Sequence, residues 1–442
     1  MSSQSNEEIK LVEKIKQKKA NIMILGLGQV GLPTAVAFLE SGYNVNGFDI
    51  NKALVDRINS GMSPIPEKNF NETLSKYLKV SKFSATDNPD SMLDADVIII
   101  CVATPLNVSR TNADLGMLGE AIATVANKLN HMKLIIIEST IPPGTMKNYI
   151  IPKVEATANK KIGKHFLISF CPERISPGNA VHEFLNNSRL IGAEDNSSSA
   201  ATMELLSQVT NARIYQTDTT TAELTKLAEN SYRDVNIAFA NELALICESH
   251  KVHASEVIEM ANTHPRVNIH SPGPGVGGPC LPKDPYLLLV DFKTQNSLIR
   301  TARWINDKMP GHVVDLILGT TDRLDTSTRK MNVLILGSSY KPNVNDTRNS
   351  PTEMIIQKLR EVGITEITVH DPYSTVTFGA QSTQDLYTSL SGSRCVILAT
   401  AHSEYQDLRP EMFNKEAIIV DTVRLLNREE FTKTGLQYIC IG

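Results

Sequence analysis

Cys280 lies in a glycine- and proline-rich loop that gives it the surroundings of a reactive thiol. Residues 272–284 read PGPGVGGPCLPKD, with four glycines and four prolines. The glycines let the backbone approach a ligand closely, and the prolines stiffen the loop. Lys283 and Asp284 follow the cysteine; positive surroundings favour a thiolate, and a carboxylate can position water or accept a proton. We predict a catalytic cysteine here; the alternative is a turn that contains a packed, inert thiol.

A second chemical signal is the glycine fingerprint GLGQVG at Gly26, Gly28 and Gly31. A strand, this loop, a helix and a second strand are predicted at 21–25, 26–31, 32–41 and 44–48. Asp49 follows the second strand at the distance where a ribose-binding carboxylate is expected. The glycines would let a pyrophosphate reach the amide groups of the helix N-terminus. The pattern predicts a dinucleotide site, and Asp49 favours NAD over NADP because it would repel a 2′-phosphate. The alternative is a glycine-rich turn without a ligand.

Polar side chains follow three further apolar strands, which are predicted at 96–102, 134–138 and 165–170. Thr104 follows the first of these, Ser139 and Thr140 the next, and Glu173 the last. Ligands of open α/β sheets bind beyond the carboxyl ends of the strands. We therefore place these residues near the cofactor. The alternatives are turn and capping roles for the hydroxyls, and a surface Glu–Arg pair at 173–174, which is the interpretation that this motif favours when taken alone.

A long helix is predicted over 219–250, where the sequence contains neither glycine nor proline. The spacing of Thr220 and Glu223 predicts a capping box at its start. At 1.5 Å per residue the helix would be about 45–50 Å long, which indicates a spine between domains or subunits.

Lys226, Asn230 and Arg233 recur at positions i, i+4 and i+7 of this helix and therefore share one face. Such a stripe is often a solvated face. Because apolar residues occupy much of the remaining circumference, we predict that the stripe lines a cleft. A lysine there could stabilise an oxyanion and help to keep Cys280 ionised.

A second α/β unit follows, with strands predicted at 331–336, 366–369, 394–398 and 417–420. It repeats the first unit in outline: MNVLILG resembles NIMILG, and ITVHD resembles VNGFD. The glycine fingerprint is missing, while Lys341 and Arg348 stand where the chain leaves the first strand. We predict a second nucleotide-binding fold whose ligand carries phosphate but is not NAD; the alternative is that both cations are solvated loop residues. The predicted fold class is α/β, with two Rossmann-like, doubly wound parallel sheets joined by a long central helix.

Composition excludes several other classes of protein. The net charge is −4, with no block of basic residues, which argues against a nucleic-acid binder. The six cysteines are scattered without paired spacing, which argues against a disulfide framework and against a zinc or other metal site. No apolar run approaches the roughly 20 residues of a membrane span, and the charged start lacks a signal-peptide core. We predict a cytoplasmic protein.

Taken together, these motifs resemble those of the UDP-glucose/GDP-mannose dehydrogenase family over essentially the whole chain. The matching segments include GLGQVGLP, STIPPGT, CPER, AELTKLAENSYRDVNIAFANELALIC, HPRVNI, GPGVGGPC and SSYKPNVNDTR. Within the family, HPRVNI and the helix sequence are most similar to members that oxidise UDP-N-acetyl-D-mannosamine. Pro279 departs from the histidine that N-acetylhexosamine enzymes commonly carry, and the LPKD that follows is similar to UDP-glucose enzymes.

The resemblance implies a four-electron oxidation of a sugar C6 alcohol to a carboxylate with two NAD in succession. Cys280 would be the nucleophile, Lys226 the acid/base or oxyanion partner, and Asn230 a second oxyanion ligand. Asp284 and Glu173 would activate water, with Thr140 placing it. The positions that match NAD ligands of the family are Val30, Asp49, Thr104, Thr140 and Arg348. The positions that match its nucleotide-sugar ligands are Arg174, Ile175, Lys226, Asn230, Arg233, His264, Arg266, Gly277, Tyr340 and Lys341.

The resemblance also implies a division into domains and a homodimer. The predicted parts are a lead-in at 1–20, an NAD-binding domain at 21–215, a central helical domain at 216–320 and a UDP-sugar-binding domain at 325–442. The central helix would form the dimer, and Arg266 would reach the site of the neighbouring subunit. Alternative substrates are UDP-N-acetylglucosamine and UDP-glucose. More distant alternatives are a two-electron NAD-dependent dehydrogenase with Cys280 as a bystander, and a non-catalytic nucleotide-sugar-binding protein.

Overall fold

Short runs of apolar, mostly β-branched residues form a first sheet in the N-terminal half of the chain. The computed structural model describes residues 6–65, 69–107, 109, 112–294, 296–320 and 331–442. The strands of this sheet are β1 (Asn21–Leu25), β2 (Asn44–Phe48), β3 (Phe83–Thr86), β4 (Val97–Ile100), β5 (Leu134–Ile137), β6 (Leu167–Phe170), β7 (Arg189–Gly192) and β8 (Ile214–Thr217). Their order is β3-β2-β1-β4-β5-β6-β7-β8, so the first six follow the Rossmann arrangement.

The helices of the first half cover both faces of this sheet. They are α1 (Asn6–Lys16), α2 (Gly31–Glu40), α3 (Lys52–Asn59), α4 (Phe70–Lys79), α5 (Gly116–Asn127), α6 (Ile151–Ala158), α7 (Ala180–Asn186) and α8 (Asn196–Ser207). One buried cluster joins α2 and α8 to one face of the strands, and a second joins α5 and α6 to the other. Because both faces are covered, β4 and β5 are buried at every position, as their unbroken apolar sequences predict.

A second sheet in the C-terminal half has the same arrangement. Its strands are β9 (Val333–Leu336), β10 (Ile367–His370), β11 (Gln381–Ser382), β12 (Cys395–Leu398), β13 (Ile418–Asp421) and β14 (Gln437–Cys440). They lie in the order β11-β10-β9-β12-β13-β14, and all neighbours are parallel. The remaining helices are α9 (Thr219–His250), α10 (Ala254–Asn262), α11 (Asp284–Leu288), α12 (Leu298–Thr320), α13 (Pro351–Glu361), α14 (Leu386–Gly392) and α15 (Arg428–Lys433).

The chain forms two compact units. One contains the residues up to Glu229 together with Tyr286–Phe292, and the other contains Asn230–Pro285 and Lys293–Gly442. The predicted two sheets and long helix are confirmed, and α9 has the predicted bounds. The division into a lead-in, two sheet domains and a helical domain at 216–320 stays a prediction. Positions 1–5 of the lead-in and 325–330 of the C-terminal domain lie outside the described residues.

One detail differs from the predictions. The first sheet is not parallel throughout, because β7 runs antiparallel to β6, with Phe170 opposite Gly192. Within the lead-in, α1 packs on the first unit, since its Leu11 and Ile15 are buried in the first core. No helix in the described part of the chain is both long and apolar enough to cross a membrane.

Candidate active site

The three glycines of the fingerprint have different structural roles in the first unit. Gly26 has a φ of +87°, and a Cβ there would lie 3.0 Å from the carbonyl oxygen of Cys101. A Cβ on Gly31 would lie 1.8 Å from the carbonyl oxygen of Gly26, so α2 can begin so close to the loop only with glycine. A Cβ on Gly28 would meet nothing within 4 Å. Gly26 and Gly31 therefore shape the turn, while Gly28 leaves open space beside the N-terminus of α2, as a bound pyrophosphate requires.

Asp49 fixes this loop against the end of β2. Its Oδ2 accepts a hydrogen bond from the amide of Leu27 at 2.9 Å, and its Oδ1 accepts one from Asn51 at 2.9 Å. Each carboxylate oxygen has a second lone pair, so the half-buried side chain can still accept ribose hydroxyls. Val30 is half-buried in the last turn before α2. These residues fit NAD, which would supply the hydride acceptor.

We expect Gly28→Ala to raise the KM for NAD by about tenfold or more, because the new Cβ projects into space that the fold leaves open to the cofactor. The melting temperature should stay within about 1 °C of the parent value, since the Cβ meets no protein atom. Gly392→Ala is the matched control because its Cβ also points into open space. Steady-state kinetics with varied NAD measure the effect, and an unchanged KM would contradict the placement.

The ends of β4 and β5 are joined through hydroxyl groups. Thr104 Oγ1 donates to the carbonyl of Thr140 at 2.5 Å, and Ser139 Oγ donates to the carbonyl of Val102 at 2.7 Å. Thr104 is buried and Thr140 half-buried. Both threonines thus lie at the carboxyl edge of the first sheet, and these bonds fix the loop geometry there.

A buried ionic group, which the sequence analysis missed, lies beneath this edge. Glu138 Oε1 accepts from the guanidinium of Arg189 at 2.8 Å, and its Oε2 accepts from Thr34 Oγ1 at 3.1 Å and from Cys101 Sγ at 3.3 Å. The side chains of Glu138 and Arg189 are each 1% exposed. Thr34 belongs to the first turn of α2, so its hydrogen bond to Glu138 connects the start of α2 to the end of β5. A charged residue ending the apolar run LIIIE was the signal that could have revealed it.

The CPER motif after β6 contacts the first turns of α9. Lys226 Nζ lies 3.6 Å from Glu173 Oε1, and both side chains are less than 10% exposed. The other oxygen of Glu173 accepts from the amide of half-buried Ile175 at 2.8 Å. Arg174 donates to the carbonyl of Ser188 at 3.0 Å and pairs with Glu229. The first unit therefore brings Glu173 and Lys226 together as a buried ion pair, and the surface interpretation of the Glu–Arg pair is wrong for Glu173.

The predicted capping box at the start of α9 is also wrong. The amide of Thr221 donates to Asp218 at 2.9 Å, so Asp218 caps the helix. Glu223 instead accepts from the amides of Gly144 at 2.5 Å and Met146 at 2.7 Å, in the loop after Thr140. Both oxygens of the carboxylate thus bind backbone amides of that loop, which satisfies donors that the loop does not use in a helix or strand. Burial raises the pKa of Glu223 to about 7.

The raised pKa of Glu223 predicts a pH-dependent stability. Between pH 4.5 and about 7 the unfolded chain loses this proton while the folded chain retains it. Its contribution to stability is therefore complete below pH 4.5 and is lost as the pH rises through about 7. Glu223→Gln lacks this titration, so its melting temperature relative to the parent should rise by about 2–5 °C between pH 5 and pH 8. Scanning calorimetry measures the difference, with Glu242→Gln on the exposed side of α9 as control. A constant difference would contradict the assignment.

The second unit brings Cys280, Asp284 and Asn230 together. The amides of Lys283 and Asp284 donate to the carbonyl of Cys280 at 2.9 and 2.8 Å, forming the turn that begins α11. Asn230 Nδ2 donates to Asp284 Oδ2 at 2.6 Å, and the Asp284 side chain is buried. Lys283 Nζ lies 3.8 Å from Asp284 Oδ1. A half-buried thiol is thus followed by a carboxylate that an amide side chain holds in place.

Four other cysteines are poorly suited to nucleophilic chemistry. Burial raises the pKa of the Cys101, Cys171 and Cys440 thiols, and it raises that of Cys395 to about 12. Such thiols remain protonated near neutral pH and are weak nucleophiles. Cys101 and Cys440 are half-buried like Cys280, but Cys280 alone of these five lies in the glycine- and proline-rich loop that precedes Asp284.

The loop that carries Cys280 packs on the segment after β9. A Cβ on Gly277 would lie 2.5 Å from Tyr340 Cβ, and one on Gly278 would lie 2.7 Å from the Tyr340 ring. The amide of Gly278 donates to the carbonyl of Arg348 at 2.8 Å. Both glycines are therefore required for this packing, and the functional segments around Cys280 and Tyr340 form one assembly within the second unit. Burial raises the pKa of Tyr340 to about 12.

The remaining predicted ligands of the second unit are basic residues and mostly exposed. Arg233 lies on α9, and His264 and Arg266 lie in an exposed turn after α10, where the amide of Arg266 donates to His264 Nδ1 at 3.3 Å. Lys341 is half-buried after β9. Arg348 makes a bidentate pair with Asp346, at 2.9 and 2.6 Å. Their roles stay predictions, as do those of the other site residues. No group of three or more histidine, cysteine or acidic side chains among the described residues could hold a metal ion.

Comparison with known proteins identifies related sequences along nearly the whole chain. Residues 20–210, 220–308 and 334–428 match the models of the NAD-binding, central and UDP-binding domains of the UDP-glucose/GDP-mannose dehydrogenase family. A UDP-N-acetyl-D-mannosamine dehydrogenase of Pyrococcus horikoshii is 40% identical over 404 residues, covering 90% of this chain and 94% of the relative.

Solved structures give the same result. A UDP-D-ManNAc dehydrogenase from Pyrococcus horikoshii superposes with a TM-score of 0.88 at 38% identity, covering 95% of this chain and 99% of that protein. A UDP-N-acetyl-mannosamine dehydrogenase from Staphylococcus aureus superposes with a TM-score of 0.84 at 34% identity, covering 96% and 98%.

Proposed function

Since this chain belongs to the UDP-glucose/GDP-mannose dehydrogenase family, we propose that it oxidises the C6 alcohol of UDP-N-acetyl-D-mannosamine to the carboxylate. It is an NAD-dependent UDP-sugar dehydrogenase, and the choice of sugar rests on relatives that carry that activity in their names. The observation that carries the proposed chemistry is the arrangement of the Cys280 turn, with Asp284 held by Asn230 at 2.6 Å. A thiol followed by a fixed carboxylate suits covalent capture of a carbonyl and later attack by water.

The proposed reaction removes two hydrides from C6. NAD supplies the acceptor for each hydride. When the first hydride leaves, the alcohol also loses its proton, and an aldehyde results. The sulfur of Cys280 then bonds to the aldehyde carbon as the C=O double bond opens, and the thiol proton passes to the oxygen, which makes a thiohemiacetal. Loss of the second hydride and of the hydroxyl proton gives a thioester. Water attacks that carbon, the carbon–sulfur bond breaks, and the products are the uronate, the cysteine and a proton.

Lys226 and Asn230 are our candidates for controlling charge on the C6 oxygen. They occupy positions i and i+4 on one face of α9. A buried ammonium can stabilise an alkoxide or exchange a proton with it, and an amide Nδ2 can donate to it. Glu173 supports this role because its carboxylate lies 3.6 Å from Lys226 Nζ and helps to position the side chain.

Asp284, Glu173 and Thr140 are our candidates for delivering water to the thioester. Asp284 and Glu173 are buried carboxylates, and each has one oxygen in a hydrogen bond of 2.6 or 2.8 Å that orients it. Thr140 lies in the loop after β5, where the hydrogen bond from Thr104 fixes its carbonyl, so its hydroxyl can position a water molecule. A carboxylate near the thioester would take the proton that water loses on attack.

Binding of the nucleotide sugar is proposed for cationic and loop residues. From the first unit, Arg174 and Ile175 would contact the sugar or its phosphates. The second unit would contribute six more ligands: Arg233, His264, Arg266, Gly277, Tyr340 and Lys341. Exposed cations supply the charge that a diphosphate needs, and remote binding energy from the nucleotide would position C6. For NAD we propose Val30, Asp49, Thr104, Thr140 and Arg348.

We also propose a homodimer formed along α9, with a cytoplasmic location. Tyr232, Phe239 and Ile246 are 62%, 52% and 50% exposed, and they recur at intervals of seven residues on one side of the helix. Such an apolar stripe on a long helix suits a second copy of the same helix. In a dimer with two-fold symmetry, this stripe on one chain would pack against the same stripe on the other chain.

If Arg266 acts on the neighbouring site, two inactive variants should restore each other. An Arg266→Ala chain retains Cys280, and a Cys280→Ser chain supplies the arginine, so each mixed dimer contains one complete site. Coexpression in equal amounts should recover about a quarter of the parent activity per site, since about half of the dimers are mixed. Each variant expressed alone is the control. No recovery in isolated mixed dimers would count against the role in trans.

A substrate panel with counted NADH tests the proposed function. UDP-N-acetyl-D-mannosamine should give the highest kcat/KM among UDP-ManNAc, UDP-GlcNAc, UDP-GalNAc and UDP-glucose, with two NADH per sugar. Pro279 and the following LPKD favour UDP-glucose as the second candidate, so faster turnover of UDP-glucose would overturn the choice of sugar. One NADH per sugar would indicate a two-electron dehydrogenase in which Cys280 is a bystander.

A further inference from the structure

The segment after β9 that carries Tyr340 and Lys341 is held at both ends by buried polar side chains. At its start, the amides of Ser338 and Ser339 donate to Asp371 Oδ2 at 2.7 and 2.9 Å. Asp371 follows β10, as Asp49 follows β2. The start of the segment is therefore fixed in the same way as the glycine loop of the first unit.

The end of the segment depends on His402, which is fully buried. Its Nδ1 lies 2.9 Å from the amide nitrogen of Asn343, and its Nε2 lies 3.2 Å from Asp371 Oδ2. An amide can only donate, so Nδ1 must accept and is unprotonated. Nε2 then carries the proton and donates it to Asp371. One neutral tautomer satisfies both contacts, and Tyr373 stacks on the ring with centroids 5.1 Å apart.

The contact with His402 helps to hold the backbone of Asn343 in a left-handed turn. Asn343 has a φ of +60°, a conformation with a steric cost for side chains other than glycine. Its own side-chain oxygen accepts from the amide of Ser403 at 2.9 Å, directly after His402. The two residues therefore fix each other, and the turn places Tyr340 and Lys341 between two anchored points.

We propose that His402 is a positioning residue that holds the Tyr340–Lys341 segment in its nucleotide-binding conformation through the Nδ1 contact with Asn343. The inference rests on the proposed function, which makes Tyr340 and Lys341 ligands of the UDP-sugar. Its effect extends to the Cys280 loop, since Gly277 and Gly278 pack against Tyr340. No group of His402 needs to touch the substrate.

Two amide replacements separate the contacts of the histidine ring. An asparagine oxygen falls near the place of Nδ1, and a glutamine amide falls near that of Nε2. His402→Asn therefore retains the acceptor for Asn343, whereas His402→Gln retains only the donor to Asp371. His402→Phe removes both while preserving much of the volume. His370→Asn is the matched control, because His370 is also buried but its ring nitrogen contacts Tyr405 at 2.9 Å and not the segment.

The readouts are the Kd for UDP by calorimetry and the KM values for UDP-N-acetyl-D-mannosamine and NAD. We expect His402→Gln and His402→Phe to raise the Kd for UDP and the sugar KM by about tenfold, with the KM for NAD within about twofold. For His402→Asn, the Kd for UDP and both KM values should stay within about threefold of the parent values. A merely structural role would change the KM for NAD and the melting temperature along with the others.

The outcomes discriminate clearly. Parent-like UDP binding by a folded His402→Gln variant, or equal losses in the Asn and Gln variants, would overturn the proposal. If His402→Phe fails to fold, the comparison of Asn with Gln still decides. A parent protein that binds no UDP and turns over no UDP-sugar would overturn the proposed function and this inference together. Normal turnover with no effect of the Gln variant would overturn this inference alone.

Discussion

Replacing Cys280 by serine should lower the rate of acid formation by about a thousandfold or more. A thiolate is a strong nucleophile because it carries a negative charge, whereas a serine hydroxyl is neutral near neutral pH. With serine, neither the covalent adduct of the aldehyde nor the acyl intermediate should therefore form at a useful rate. The substitution changes one atom in a half-exposed loop, and the glycine contacts with Tyr340 do not involve the side chain. Binding of UDP and the KM for NAD should therefore remain close to the parent values.

Mass spectrometry of the sugar product, together with counted NADH, measures this effect. Cys440→Ser is the matched control, because burial raises the pKa of the Cys440 thiol and the proposed chemistry assigns it no role. The control should form acid at the parent rate. Acid formation at the normal rate by the Cys280→Ser variant, with two NADH per sugar, would refute covalent catalysis through this thiol. An aldehyde product with one NADH per sugar from the parent protein would instead favour the two-electron alternative.

Lys226→Met should lower kcat by about a hundredfold to ten-thousandfold, the range that loss of a general acid–base group or an oxyanion partner produces. The methionine keeps an unbranched apolar stem but removes the charge that we place at the C6 oxygen. The variant also leaves Glu173 buried without its partner at 3.6 Å, which should lower stability. Activity and stability must therefore be separated.

The double variant Lys226→Met with Glu173→Gln provides that separation. Removing both charges should restore much of the melting temperature that the single variant loses, because no unpaired buried carboxylate remains. It should not restore kcat. Glu173 is itself a candidate for activating water, so the double variant reports on stability and the single variant reports on activity. A parent-like kcat of Lys226→Met at a temperature where it stays folded would contradict a catalytic role for Lys226 and leave it as a structural partner of Glu173.

The local sequence predicted most helices and strands well, because an element that packs on both of its faces must be apolar along its length. The bounds of β1, β2 and α9 agree with the prediction, because apolar runs and the absence of glycine and proline fix them. At β4 and β5 the predicted strands extend one or two residues too far. At β5 the apolar run continues into Glu138 without a break, but Glu138 lies just beyond the last paired position, Ile137.

The motifs of the candidate site were also recognisable, but most of their partners were not. Arg189 binds Glu138 across 51 residues of sequence, and Asn343 donates to His402 across 59. Glu223 was assigned to a local cap, although its partners are 77 and 79 residues away. Periodicity and spacing report local geometry, so contacts of this range depend on sheet topology and could not be predicted.

The reversed direction of β7 has a consequence for charge balance in the first sheet. In parallel strands the first residue lies at the edge away from the cofactor, so an arginine that opened such a strand would point to the wrong end of the sheet. Because β7 runs against β6, its opening residue, Arg189, arrives at the cofactor edge, where it neutralises Glu138 and also contacts Cys171. A single inverted strand thus supplies the counter-charge that lets an acid remain buried under the dinucleotide helix.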